Sequence, residues 1–236
     1  MNAAILWSIR VSNPVYHITP FTLLDYPDKT ACIVWFAGCN MRCRYCYNVD
    51  IVRGKGKMSY DEVLAFLDKR RGLLDAVVLS GGECLMHAHI ETFIREIRQR
   101  NMLVKIDTNG SNPKALARLI GEGLVDYVAL DFKALEDRFY DITQSDLFRP
   151  FEKSLELLIA SPAVRFEVRT TYHSSLMDEA YIKKMAAYLK EKGYQGTYYL
   201  QQFFNDTETL DKMENDYCRL KSQQFEEAAV QMAIRN

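Results

Sequence analysis

Residues 31–48 read ACIVWFAGCNMRCRYCYN, and this stretch decides the fold. Ala31–Phe36 is a short β-rich apolar run, the pattern of a strand. Directly after it comes a loop holding Cys39, Cys43 and Cys46 at the spacing C-x3-C-x2-C. A chemistry-bearing loop at the C-terminal end of a strand is where open and closed α/β sheets gather their ligands.

The same grammar repeats along the chain. Strands are predicted at Ala31–Phe36, Asp75–Leu79, Leu103–Asp107, Tyr127–Asp131, Val164–Thr170 and Thr197–Gln201. Helices are predicted between them at Tyr60–Arg70, His89–Gln99, Pro113–Glu122, Phe151–Ile159 and Glu179–Lys192. Ser59 ahead of Asp61 and Glu62 suits an N-cap with an acidic first turn, and Asn112-Pro113 places proline at the first helical position. Six β/α units in succession imply a parallel sheet, and right-handed crossovers curl it. Six units are too few to close an eight-stranded barrel, so the expected architecture is α/β, an open doubly wound sheet or a partial (β/α)6 TIM-like barrel. No Pro/Gly/Ser-rich linker divides the chain. A single domain over residues 1–236 is expected, with an N-terminal extension at 1–17, a β/α core at 18–204 and a C-terminal helical segment at 205–236.

Composition narrows the function. Thirty Lys and Arg against 31 Asp and Glu leave a net charge of −1 without a dense basic block, so the electrostatic footprint of a nucleic-acid binder is missing. No stretch reaches the roughly 18 uninterrupted apolar residues of a membrane helix, and Met1–Val11 lacks the basic start and long apolar core of a secretory signal. A cytoplasmic protein with neither a membrane nor a nucleic-acid partner is expected. Six cysteines, three of them crowded into residues 39–46, make a poor disulfide framework and a good set of metal ligands.

Three close thiolates can hold three corners of a four-iron four-sulfur cluster and leave the fourth iron open to a substrate. The competing reading is zinc, which wants four ligands and usually two paired motifs. Cys32, Cys84, Cys218 and His17 are scattered singly. Cys32, inside an apolar run, reads as a small buried hydrophobe.

Other motifs fall on later strand ends: Ser80-Gly81-Gly82-Glu83, Asp107-Thr108-Asn109-Gly110 and Asp131-Phe132-Lys133. Paired glycines allow close approach of backbone to a ligand, Glu83 can accept from an ammonium group, and Asp131 and Lys133 share a face. Each alone is also an ordinary turn or cap. Their recurrence on the rim that carries the cysteines marks a site.

With these motifs in order, the sequence resembles the radical S-adenosylmethionine (SAM) superfamily and its glycyl-radical-enzyme activases. Leu23-Leu24-Asp25-Tyr26-Pro27, Arg71–Asp75, Lys105–Asn112 and Glu122–Tyr127 make residues 18–135 similar to the activating proteins of anaerobic ribonucleoside-triphosphate reductase. The resemblance implies that Cys39, Cys43 and Cys46 ligate a 4Fe-4S cluster and that Tyr45 lies against the adenine of SAM. It places Gly81, Gly82 and Glu83 at the methionine amino group, with Asp107, Thr108, Asn109, Asp131 and Lys133 completing the pocket. Arg169 is implied as a contact to the carboxylate or ribose, against the alternative of a surface salt bridge.

The implied reaction is reductive cleavage of SAM to a 5'-deoxyadenosyl radical that takes hydrogen from a glycine of a partner enzyme, with flavodoxin or a similar protein as electron donor. Arg42 and Arg44 are candidates to tune the cluster or receive that donor. Two departures from the family pattern stand out: Cys84 replaces the proline expected after Gly-Gly-Glu, and Gln201-Gln202-Phe203-Phe204 lacks an expected histidine, for which His173 is a candidate substitute. Residues 47–80 hold no cysteine and leave no room for a ferredoxin-like insert. The rival readings are a 7-carboxy-7-deazaguanine synthase-like enzyme and a non-catalytic iron-sulfur or zinc module. The polar stretch Asn205–Glu227 is expected as a solvated helix rather than a lid.

Overall fold

A computed structural model describes residues 13–226 and 228–235. One eight-stranded sheet organises them, with strands in chain order from β1 to β8: β1 (Val15–Thr22), β2 (Ala31–Phe36), β3 (Ala76–Gly81), β4 (Leu103–Thr108), β5 (Tyr127–Asp131), β6 (Arg165–Tyr172), β7 (Tyr198–Gln202) and β8 (Met232–Arg235). β1 runs antiparallel to β2, and every later neighbour pair is parallel. A parallel sheet whose spatial order equals its chain order, with a helix in most crossovers, is the partial barrel expected.

The helices are α1 (Val49–Arg53), α2 (Tyr60–Asp68), α3 (Ile90–Gln99), α4 (Pro113–Gly121), α5 (Glu136–Thr143), α6 (Phe148–Ile159) and α7 (Glu179–Glu191). Ser59 and Glu62 form a reciprocal capping box at α2, and Asn112 and Asp178 cap α4 and α7 through the Ala115 and Tyr181 N–H groups. Helix α6 begins three residues before the predicted Phe151 because Pro150 falls in its first turn, where a missing N–H costs nothing.

Strand periodicity splits the sheet into two faces. Cys32, Val34, Phe36, Val77, Leu79, Val104, Ile106, Val128, Leu130 and Val168 join the large core under the helices. The alternate residues form a small apolar cluster around Tyr26, Ile33, Val78 and Tyr127, and beyond it the face turns polar. That polar half of the inner face positions the site.

Two boundaries need correction. Residues 205–236 were expected to be helical, yet the described residues there hold no α-helix: a 3-10 turn at Ser222–Phe225 and strand β8 take its place. Asn205, Asp206, Asn215 and Asp216 hydrogen-bond nearby backbone and one another, which competes with a helix, while Met232, Ala233 and Ile234 pair with the open edge of β7. At the other end, β1 starts at Val15, inside the expected extension, and residues 1–12 lie outside the described part. Among the described residues no helix is long and apolar enough to cross a membrane.

Candidate functional site

The cysteine loop leaves β2 through Gly38, whose φ of +81° suits glycine. Backbone bonds fix the loop: the Arg42 and Arg44 N–H groups donate to the carbonyls of Thr143 (2.8 Å) and Ile142 (3.0 Å) in α5, and the Cys46 N–H donates to Cys43 (3.0 Å). The Arg42 guanidinium folds back onto the Cys39 and Met41 carbonyls at 2.6 and 2.8 Å, and Arg44 pairs with Asp211. Both arginines therefore brace the loop from within the chain, Arg42 remaining exposed and Arg44 partly so.

The three thiols border one cavity of about 200 Å³, together with Tyr45, Tyr47, Gly81, Gly82, Asp107, Asn109, Asp131, Lys133 and Arg169. All six cysteines are free. Burial pushes the Cys39 thiol up to about 11 and Cys43 to about 12, and raises Cys46 as well. Among the described residues no three His, Cys, Asp or Glu side chains converge on one ion position. Three thiols on one cavity are a donor set that an iron-sulfur cluster takes. The Tyr45 hydroxyl is buried in the same wall and has no hydrogen-bond partner among the described residues, so a polar group is waiting to be met there.

The glycine pair lines the cavity and has a packing role besides. A Cβ on Gly82 would lie 1.7 Å from the Gly38 carbonyl oxygen, and Gly81, at φ +111°, faces the Phe36 backbone. The Gly82 and Glu83 N–H groups donate to the Phe36 and Gly38 carbonyls at 2.8 and 2.9 Å. The bare backbone thus lets the β3 end lie against the cysteine loop and also form cavity wall.

Glu83 and Thr108 were expected in the cofactor pocket, but neither lines the cavity. Glu83 is fully buried and accepts from the N–H groups of Leu85 (3.1 Å) and Asn109 (2.7 Å) and from the Thr108 hydroxyl (2.8 Å). Its carboxylate ties the β3 end to the β4 end. Burial pushes its pKa up to about 7 despite those three donors. Asn109 does reach the cavity, donating to Asn40 (2.9 Å) and lying 3.8 Å from the Cys39 sulfur.

Asp107, Asp131, Lys133 and Arg169 meet in a partly buried chain of alternating charge. Lys105 Nζ lies 2.6 Å from Asp107, Arg169 bridges Asp107 (3.2 Å) and Asp131 (2.5 Å), and Lys133 Nζ lies 2.9 Å from Asp131. Arg169 is no surface arginine. Burial alone would raise the Asp131 pKa, but Arg169 and Lys133 hold it down at about 2. Lys105 was missed by the site reading, although it stands two residues before Asp107 and hence on its face. Trp35, Asp25 and Gln201 also line the cavity; Trp35 carried no motif, and Asp25 and Gln201 stood only in stretches compared with the family pattern.

Cys84 is fully buried, with its sulfur 3.7 Å from the Asp107 carbonyl and 3.8 Å from that of Leu79, so it packs as a small hydrophobe away from the cavity. His173 is no cavity residue either: its Nε2 lies 2.9 Å from the Glu214 carbonyl and its Nδ1 2.9 Å from the Ser175 hydroxyl.

Comparison with known proteins agrees with this geometry. Residues 33–172 match the Radical SAM superfamily model. The chain is 33% identical over 192 residues to a Methanocaldococcus jannaschii protein named for glycyl-radical enzyme activation, covering 79% of this chain and 78% of the relative. It is 26% identical over 188 residues to the pyruvate formate-lyase-activating enzyme of Clostridium pasteurianum, covering 76% and 77%. A local match of 40% identity over 87 residues links it to the 7-carboxy-7-deazaguanine synthase of Rhodospirillum rubrum, 36% of each chain. In fold it resembles Streptococcus suis SuiB bound to S-adenosylmethionine, with a TM-score of 0.66 at 11% identity over 86% of this chain and 52% of the other, about half of that protein's length.

Proposed function

Because the chain belongs to the radical SAM superfamily, whose enzymes use a 4Fe-4S cluster and SAM, we propose that it activates a glycyl-radical enzyme, with anaerobic ribonucleoside-triphosphate reductase as the partner. The observation that carries the activase reading is the similarity to an activating enzyme along more than three quarters of both chains, set against a match to the deazaguanine synthase over about a third.

Cys39, Cys43 and Cys46 would hold the cluster, and Gly81, Gly82, Asn109 and the Tyr45 ring shape the wall of the same cavity. Bound there, cluster and SAM would supply one-electron carbon-sulfur cleavage and hydrogen abstraction from a glycine α-carbon. The chain's own work is orientation. Three cations (Lys105, Lys133, Arg169) against two carboxylates (Asp107, Asp131) leave one positive charge for the cofactor's carboxylate, in a partly buried setting where it is screened less than at the surface. Glu83 and Thr108 act at one remove, by fixing the Asn109 backbone. Six free thiols suit a reducing cytoplasm, where a flavodoxin-like protein would supply the electron.

The test is electron paramagnetic resonance after mixing reduced protein, SAM and the reductase. A glycyl-radical doublet supports the reading. Its absence, with turnover of a pterin or purine precursor instead, transfers the assignment to the small-molecule class.

A further inference from the structure

The chain after β7 crosses the cysteine loop. Residues 205–216 close on themselves at the base: Asn205 Nδ2 donates to the Asp216 carbonyl (3.0 Å), the Asp216 N–H donates to Asn205 Oδ1 (2.8 Å), the Asp206 N–H donates to Asn215 Oδ1 (2.9 Å) and Asn215 Nδ2 donates to Asp206 Oδ1 (2.8 Å). The base is bolted to the chain beyond β6, where Asp216 accepts from the Ser174 N–H (2.5 Å) and hydroxyl (2.9 Å). At the tip, the Leu210 N–H donates to the Cys46 carbonyl (3.0 Å), the Asp211 N–H to the Arg44 carbonyl (3.2 Å), and Arg44 Nε to the Asp211 carboxylate (2.5 Å).

The other side of the same short segment is held by α5, through the Thr143 and Ile142 carbonyls. The Cys43–Cys46 half of the loop is therefore gripped from two elements far apart in sequence. An unheld ligand loop loses conformational entropy at each residue it must order on binding. A loop already clamped has lost it on folding, which is preorganisation.

We propose that the 205–216 loop is a resident clamp that holds Arg44–Cys46 in the cluster-accepting conformation before iron arrives, with Asp211 as a positioning residue. This rests on the reading that Cys39, Cys43 and Cys46 hold the cluster. It also gives a role to a polar segment that periodicity assigned to a solvated helix.

The experiment compares full-length wild type, Asp211→Ala, the charge swap Arg44→Asp with Asp211→Arg, and a chain in which residues 207–213 are replaced by a Gly/Ser stretch of equal length. Amide hydrogen exchange over residues 42–48 is read on the cluster-free protein, followed by the rate of anaerobic iron and sulfide uptake and the paramagnetic resonance spectrum of the reduced cluster. Asp211→Ala should speed exchange about twofold to fivefold, the span of a partly exposed ion pair, and the swap should restore it. The loop replacement should speed exchange further, slow uptake and alter the spectrum. Normal iron uptake with exchange over 42–48 unchanged in both Asp211→Ala and the replacement overturns the clamp alone. Wild-type protein that binds no iron overturns the cluster reading and this inference with it.

Discussion

Arg169 and Asp131 are direct partners in the parallel β5–β6 register, and the guanidinium Nε donates to Asp131 Oδ1 at 2.5 Å while another nitrogen of the same group reaches Asp107 at 3.2 Å. One arginine thus balances two carboxylates at the floor of the cavity. Arg169→Met leaves Asp107 and Asp131 sharing less compensation in a buried place, a change of about 3–5 kcal/mol for a broken buried pair. Chemical denaturation should show that loss. SAM binding to the reconstituted protein should weaken, measured by equilibrium dialysis, and an unchanged affinity would remove Arg169 from the pocket.

Stability should depend on pH in two windows of opposite sign. Asp131 is held at about 2, below its usual 3.8, so its stabilisation of about 2 kcal/mol is complete above roughly pH 4 and is lost as pH falls toward 2. Glu83 is pushed up to about 7 from 4.5, so the folded state holds a proton that the unfolded chain has released. Stability then falls as pH rises from about 4.5 to 7, by on the order of 3 kcal/mol, and stays level above. Urea midpoints of the cluster-free protein across this range are the check. Glu83→Gln should flatten the upper window and leave the acid limb in place; a slope that persists in the variant means another group is responsible.

Iron and sulfide content separates the cysteines into two sets. Replacing Cys39, Cys43 or Cys46 by Ala should abolish the roughly four irons per chain expected of the reconstituted protein, because each borders the cavity. Cys32→Ala, Cys84→Ala and Cys218→Ala should keep them. Retention of a full cluster in any of the first three variants would mean that the ligand set is misassigned.

The legible parts of the molecule are those where local pattern and tertiary role coincide. Ala31–Phe36 and Tyr127–Asp131 match their strands residue for residue, because each is a buried run ended sharply by polar or turn residues. Part of the cavity wall was legible from motifs at strand ends, as at Gly81, Gly82, Asp107, Asn109, Asp131 and Lys133. What escaped depends on distant pairing. Strand β8 has only four residues and is held by β7 and by Arg235, whose guanidinium reaches Glu167, 68 positions away, at 2.7 and 2.8 Å. Glu83 escaped for another reason: a strand-end carboxylate looks the same in sequence whether it faces a cavity or two backbone N–H groups. Its removal is expected to cost stability, since it would orphan buried donors.

Gly82 is where fold and site are hardest to separate. Its missing side chain lets the β3 end approach the Gly38 carbonyl, and an added Cβ would sit 1.7 Å from that oxygen and 3.3 Å from the Cys39 nitrogen. Backbone on both sides cannot yield by rotating a side chain, so Gly82→Ala must push the cysteine loop outward. The displacement falls on the residue that starts the ligand set, and the Glu83 N–H bond to the Gly38 carbonyl goes with it. Gly121 in α4 is the control: nothing lies within 4 Å of an added Cβ there. Gly121→Ala should leave folding and cluster content unchanged or raise stability by about 0.5–1 kcal/mol. Gly82→Ala should keep the far-ultraviolet circular dichroism of a folded α/β chain yet lose most of its iron after reconstitution. A Gly82→Ala protein with a full cluster and unaltered spectrum would show that the close approach of the two loops is incidental to the site.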